Sequence, residues 1–436
     1  MMPRRMLTLL LLAGAVPAGL AQAPAAGTAF DTLAARAYFR EARELTARDA
    51  GALWGRPLGG PLLFVDPRSR ALLADSADLE GRLHAAGSFY AGLLPASENA
   101  ANSSLRWAGR RWAMVLWPPT SDSLARAVLL VHELWHRAQD SLGLAAQDAP
   151  NPHLAGPDGR LWLRLEGRAL QRALAAPPAA RARALRDALL FRRERRRAFP
   201  AADSSERRLE LNEGLAEDTG IALAAPDSAL RRTLVAARLA VLDSATHYER
   251  SFAYQTGPAY GFFLDVFAPG WRGSLRPGDD LAYRLEAALG SPLRAGSATA
   301  VARAGTYGYT AVRRAETKRA AEQRTRLVAL RRRFLDGPAL ELPLAEMKLG
   351  FDPGKVEALD SVGTIYGSLR LTDRWGVLQT DASGGLITTD WRRVLVSAPV
   401  EGTAGRRIAG PGWVLELAPG WRLVPGPRPG DWAVKQ

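Results

Sequence analysis

The sequence predicts an α+β protein in which a mostly helical domain, residues 24–336, precedes a small all-β, sandwich-like domain, residues 337–436. Three observations predict it. A chain of 436 residues is long enough to bury more than one core. Up to about residue 335, apolar residues recur mainly at three-to-four spacing, the period of a helix with one buried face. Beyond Asp336-Gly337-Pro338 the texture changes to short apolar runs between turns, the pattern of consecutive strands. With 47% hydrophobic and 23% charged residues, wholesale disorder is not expected.

At the N-terminus, Arg4 and Arg5 precede an apolar run from Met6 to about Leu20, and Ala21-Gln22-Ala23 has the small-x-small form of a signal-peptidase site. Residues 1–23 are therefore expected to be a cleavable signal peptide, which sends a bacterial chain to the periplasm or outside the cell. No later stretch reaches the roughly 18 unbroken apolar residues of a membrane span, so no transmembrane segment is expected. The chain has no Cys, hence no disulfides. From Thr28 to about Leu94 the pattern reads as mainly helical, around Leu33 to Phe39 and again from Leu79 to Leu93, with a short strand at Leu62-Leu63-Phe64-Val65 after Gly59-Gly60-Pro61. Trp107 to Trp117 reads as a hairpin around Gly109, stopped by Pro118-Pro119.

The next helix, capped at Ser121 or Asp122 and ending near Gly143, carries Val131-His132-Glu133-Leu134-Trp135-His136. Residues i and i+4 lie one above the other on a helix face, so His132 and His136 can offer imidazole nitrogens to one Zn²⁺. Glu133 projects beside them, placed to act as base toward a water on the metal. The chain has only five histidines, His84, His132, His136, His153 and His247, which makes an accidental pair at this spacing around a Glu improbable.

A further helix over Leu161 to Ala175 places Glu166 among apolar Trp162, Ala169 and Leu170. A carboxylate on an apolar stripe needs a partner, and Zn²⁺, a ligand histidine or an arginine would serve. The formal net charge of +14 is concentrated in two runs. Residues 181–197 hold eight Arg against Asp187 and Glu194, and residues 313–333 hold nine Lys or Arg against Glu316 and Glu322. Aromatics for base stacking are nearly absent there, so a nucleic-acid partner is not expected. Solvated helix faces are the expectation, with contact to acidic envelope polymers as the lesser reading.

A third helix, Ser205 to about Asp218, contains Asn212-Glu213-Gly214-Leu215-Ala216-Glu217 and is closed by Gly220. A catalytic zinc takes three protein ligands and keeps one position open. A third His in the metzincin pattern fails, because Gln139 and Leu142 stand where Gly and His are required, and Cys is absent. A carboxylate from another helix remains. The pair of motifs, His132-Glu133-x-x-His136 with Asn212-Glu213-Gly214-Leu215-Ala216, resembles the gluzincins, the group of thermolysin and the zinc aminopeptidases. The resemblance implies a zincin-like metallopeptidase domain, with Glu213 as third ligand and Glu217, one turn on, holding a ligand histidine. The chain departs from the group in spacing: Glu213 follows His136 by 77 residues rather than about twenty, and Glu166, at 30 residues, is the alternative ligand without the Asn-Glu context. Tyr254 to Phe263 resembles the Tyr-x-x-Gly segment of the aminopeptidases, which implies an oxyanion donor, Tyr254 first and Tyr260 second. The Gly-x-Met-Glu-Asn segment that reads a free amino terminus in the aminopeptidases has no counterpart, so exopeptidase specificity is not carried over.

After a long basic helix over residues 310–335, five of the twelve Trp lie in the β-rich part: Trp375, Trp391, Trp413, Trp421 and Trp432. Core positions are expected for most of them. Together these readings imply an exported zinc metallopeptidase acting on a peptide or protein substrate. The competing reading is a non-catalytic envelope protein with structural zinc or none, which binds a glycan or a protein partner through its β-module.

Overall fold

The computed structural model of the chain describes residues 30–95, 97–145, 149–290, 296–351, 355–359, 361–400 and 405–436. The expected signal peptide lies outside the described residues. The chain divides into two compact units, one ending at Thr317 and the other running from Lys318 to Gln436. The fold is α+β, with the helices concentrated in the first unit and the second built on β-sheets. Among the described residues no helix is long and apolar enough to cross a membrane.

The first unit opens with α1 (Thr32–Asp49), followed by β1 (Leu62–Val65), β2 (Ala71–Ala74), β3 (His84–Ala86), β4 (Phe89–Leu93), β5 (Ser103–Trp107) and β6 (Arg110–Leu116). These strands form one sheet in the order β3-β4-β2-β1-β6-β5, with β1 and β6 parallel and the other neighbours antiparallel. Alternation divides their side chains. Leu62, Phe64, Ala113 and Val115 face Phe39 of α1, while Leu63, Val65, Trp112 and Met114 build a second cluster. The helix expected over Leu79 to Leu93 is instead the β3–β4 hairpin. Gly81 and Gly87 there have φ of 68° and 66°, a conformation that turns the chain and breaks a helix.

The helical part follows: α2 (Ser123–Ala138), α3 (Pro157–Ala175), α4 (Pro178–Ala198), α5 (Ala202–Leu209), α6 (Leu215–Ala224), α7 (Ser228–Ala240), α8 (Ala253–Phe267), α9 (Leu281–Ala288), α10 (Ser297–Ala304) and α11 (Tyr309–Arg331). Asp122 caps α2 by accepting from the Ala125 amide at 2.8 Å. Leu130 and Leu134 turn toward the sheet, and Val128, Val131 and Trp135 toward the helical core. With apolar neighbours on both sides, α2 has little freedom to shift. A π-turn over Glu210–Gly214 joins α5 to α6, and α6 runs through Gly220 to Ala224. Gly220 is a packing position, not a terminator, because a Cβ there would press on the Val128 carbonyl of α2 at 2.6 Å.

The arginine-rich helix α4 departs from the expected solvated face. Arg192, Arg195 and Arg196 are buried. Arg195 donates to Glu166 at 2.6 Å and to Glu206 at 2.6 and 2.9 Å, Arg196 meets Glu206 and Asp280, and Arg192 meets Glu210. The acidic partners lie outside α4, with Glu166 on α3, Glu206 on α5, Glu210 in the π-turn and Asp280 at the start of α9, so a charge count within the run reads these arginines as surface. Most of α11 beyond Val312 and Glu316 is solvent-exposed.

In the second unit, a π-turn over Arg332–Asp336 ends α11 and leads into β7 (Ala339–Pro343), β8 (Lys348–Gly350), β9 (Val356–Leu359), β10 (Gly363–Tyr366), β11 (Arg370–Asp373), β12 (Gly376–Thr380), β13 (Gly385–Thr388), β14 (Arg393–Ser397), β15 (Arg407–Gly410), β16 (Trp413–Leu417), β17 (Arg422–Pro425) and β18 (Trp432–Lys435). They form a seven-stranded sheet, β17-β18-β7-β14-β13-β10-β9, and a five-stranded sheet, β15-β16-β12-β11-β8. One core joins the two sheets, with Leu342, Ile387 and Val394 from the first and Leu371, Leu378 and Leu415 from the second. Of the five tryptophans, Trp375 and Trp413 are buried, Trp421 and Trp432 half-buried, and Trp391 is exposed at a turn.

Candidate metal centre

Four helical segments bring the candidate side chains together. α2 supplies His132, Glu133 and His136, the π-turn supplies Glu213, α6 supplies Glu217, and α8 supplies Tyr254. Glycines set how closely these segments approach. Gly214 of the π-turn lies against Gly257 of α8: a Cβ on Gly214 would stand 3.0 Å from the Gly257 Cα, and one on Gly257 would overlap the Gly214 backbone. The Gly in Asn212-Glu213-Gly214 therefore has a steric cause, since it admits α8 and with it Tyr254.

The ring nitrogens His132 Nε2 and His136 Nε2 are 3.1 Å apart, and Glu213 Oε2 is 3.4 Å from each. A tetrahedral zinc with ligands at about 2.0–2.2 Å requires ligand atoms about 3.3 Å from one another. The triangle has that size. Among the described residues this is the one His/Asp/Glu group whose ligand atoms converge closely enough to hold a metal ion.

The chemistry of the donors is equally specific. His132 Nδ1 lies 3.2 Å from Glu217 Oε2, and His136 Nδ1 lies 3.0 Å from Gln139 Oε1. A carboxylate accepts, so Nδ1 of His132 carries a proton, and Nε2, which faces Glu213 and His136, is the nitrogen that would take a metal ion by giving up its own proton. Burial disfavours a charged imidazole at His132, yet its hydrogen bonds to Glu213 and Glu217 and the nearby Glu133 charge raise its pKa to about 10. A field that holds a proton so firmly is one that attracts a cation. Burial pushes Glu213 up, but the His136 charge and the hydrogen bonds from both histidines bring it well below the usual carboxylate range. Glu217 is lowered too, against its burial, by His132 and by Arg238, whose guanidinium is 2.7 Å from Oε1.

Glu133 is buried beside the triangle, with Oε2 lacking any hydrogen-bond partner among the described residues. Burial raises its pKa to about 6, against the lowering by His132 and His136. Tyr254 lays its ring parallel to His132, at 5.6 Å between centroids, and its hydroxyl donates to Glu213 Oε2 at 2.5 Å. Burial and the Glu213 charge hold that phenol well above its ordinary pKa, so it stays a neutral donor.

The other two sequence candidates lie elsewhere. Tyr260 donates to Glu166 Oε1 at 2.7 Å, and Arg195 donates to Glu166 Oε2 at 2.6 Å. Both are therefore joined to the arginine cluster of α4 and not to the triangle. The partner that Glu166 needed is an arginine. Sequence reasoning gave no role to Gln139, which lies three residues beyond His136, or to Arg238, which has no local signature.

A comparison of the chain with protein-family models, curated proteins and solved structures finds no match. The site, two histidines and a carboxylate that could hold one metal ion with a buried carboxylate beside them whose Oε2 has no partner among the described residues, rests on the chain's own geometry.

Proposed function

We propose that this chain is a zinc-dependent hydrolase of peptide bonds, exported by its leader-like residues 1–23, with a zincin-like domain around α2. One observation carries the reading. Three lone-pair atoms, His132 Nε2, His136 Nε2 and Glu213 Oε2, converge at 3.1 to 3.4 Å in a buried pocket that favours positive charge. Two imidazoles, which are borderline donors, and one hard carboxylate make a ligand set that suits zinc. The sheet packed on α2 and the third ligand, a carboxylate arriving from the π-turn later in the chain, support a zincin-like arrangement.

When bound, zinc supplies Lewis-acid polarisation of a carbonyl and brings the pKa of a water toward 7. The protein's own groups do the remainder. Glu133 accepts a proton at its free Oε2 and returns it to the leaving amine. Tyr254 turns its hydroxyl from Glu213 to the oxygen that gains negative charge. Glu217 holds the His132 ring in the tautomer that points Nε2 at the cation.

The test is metal analysis joined to one substitution. The purified chain is expected to hold one zinc per molecule and to cleave denatured casein. Glu133→Gln should keep the zinc and lose at least about 100-fold in turnover, the usual weight of a general base. A chain without stoichiometric zinc, or a Glu133→Gln variant cleaving at the parent rate, would refute the assignment.

A further inference from the structure

Two side-chain amides link the ligand helices through the back of the triangle. Gln139 opens the 3-10 turn that follows α2, and Asn212 sits in the π-turn just before Glu213. Both are buried. Three hydrogen bonds run in series: His136 Nδ1 to Gln139 Oε1 at 3.0 Å, Gln139 Nε2 to Asn212 Oδ1 at 3.0 Å, and Asn212 Nδ2 to Glu213 Oε1 at 3.1 Å.

The direction of this series is fixed by chemistry. A carboxylate only accepts, so Asn212 presents its NH₂ to Glu213 and its oxygen to Gln139. Gln139 must then present its NH₂ to Asn212, which leaves its oxygen for His136. An amide oxygen also only accepts, so His136 is protonated at Nδ1, and Nε2 is the nitrogen left to face the triangle and to offer its lone pair to a metal ion. At the other end, Glu213 Oε1 is occupied by Asn212 and Oε2 alone is turned to the histidines.

We propose that Gln139 is a positioning residue for the metal centre: through Asn212 it locks the His136 tautomer and selects Oε2 as the single ligating oxygen of Glu213. This rests on the metal-site reading above. A Gln that merely fills space would contribute to folding and leave metal affinity alone. A relay makes Gln139 and Asn212 one functional unit, because breaking either bond releases both ends.

The experiment is a competitive zinc titration against a chromogenic chelator, using the full chain, Gln139→Met, Asn212→Leu, the double variant and Gln139→Glu. Each single variant is expected to bind zinc about 10- to 100-fold more weakly than the parent, the usual effect of removing a ligand's outer partner. The double variant should be no weaker than the weaker single, because the relay is already broken. Gln139→Glu keeps the volume and the His136 bond but cannot donate to Asn212, which must then turn its oxygen toward Glu213. It should lose at least about tenfold. Parent affinity in the folded single variants, or a double variant showing the product of the two losses, overturns the relay while leaving the metal site intact. If Gln139→Met does not fold, Gln139→Glu decides alone. A parent chain that binds no zinc removes both the metal-site reading and the relay.

Discussion

At the residue scale, Tyr254 separates two roles that one side chain could hold. Its ring stacks on His132, and its hydroxyl bonds Glu213 Oε2 at 2.5 Å. Stacking needs the ring alone, whereas stabilising an oxyanion needs the hydroxyl. Tyr254→Phe is therefore expected to keep zinc affinity within a few-fold, to leave KM nearly unchanged, and to lower kcat by about 10²- to 10³-fold, the weight of one oxyanion donor. Steady-state kinetics beside chelator titration reads both. A variant at parental kcat would leave Tyr254 only its ring. Metal removal tests the same pocket from the other side. Stripping zinc from the chain should lower its melting temperature, since a ligand held at 1,000 times its Kd contributes about 4 kcal/mol. A metal-free chain melting with the parent would mean that the triangle binds no ion in the native state.

At the scale of elements, the crossing of the π-turn over α8 decides whether Glu213 and Tyr254 meet. Gly257→Ala puts a methyl into the Gly214 backbone, which no side-chain rotation relieves. The cost expected for such overpacking is about 1–3 kcal/mol, read by denaturant melts, and zinc affinity should fall with it. A variant with both unchanged would show that the crossing tolerates separation. The same elements show what the sequence discloses. His132, Glu133 and His136 are legible because their relation is local: the period of one helix places them together. Asn212-Glu213-Gly214 is legible as a motif, but its arrival beside His136 is a tertiary fact. The hairpin over His84–Leu93 escaped because Leu79, Leu83 and Leu93 imitate helical spacing while Gly81 and Gly87 turn the chain. In the sequence Glu166 points toward the metal because a buried carboxylate announces its need for a partner without naming it, and Tyr260 does so only through the resemblance of its segment to Tyr-x-x-Gly. The arginines that satisfy Glu166 sit on α4, in a run whose charge reads as surface.

At the scale of the whole first unit, that same α4 run makes folding depend on pH. Glu206 accepts from Arg195, Arg196 and His153 while fully buried. Burial raises its pKa, but the Arg195 charge and the hydrogen bonds from His153 and Arg195 hold it well below the usual carboxylate range. In the unfolded chain the same group titrates near about 4.3. Above that value it is ionised in both states, and its stabilisation is present in full. As pH falls from about 4.3 toward the folded-state pKa, the unfolded chain takes up the proton first, and the stabilisation is progressively lost. Glu210 opposes this trend, because burial raises its pKa more than Arg192 lowers it, so its contribution grows as pH falls. Glu206 thus accounts for loss of stability on the acid side that Glu210 cannot. Glu206→Gln leaves Arg195 and Arg196 short of a buried charge and should cost about 3–5 kcal/mol at pH 7. Because the variant has no proton to gain at this position, its deficit against the parent should shrink below about pH 4. Urea midpoints at pH 7, 5, 4 and 3 read this difference. A deficit that stays constant across that range would mean that the lost stability is packing, and that the buried arginines of α4 do not draw on the charge of Glu206.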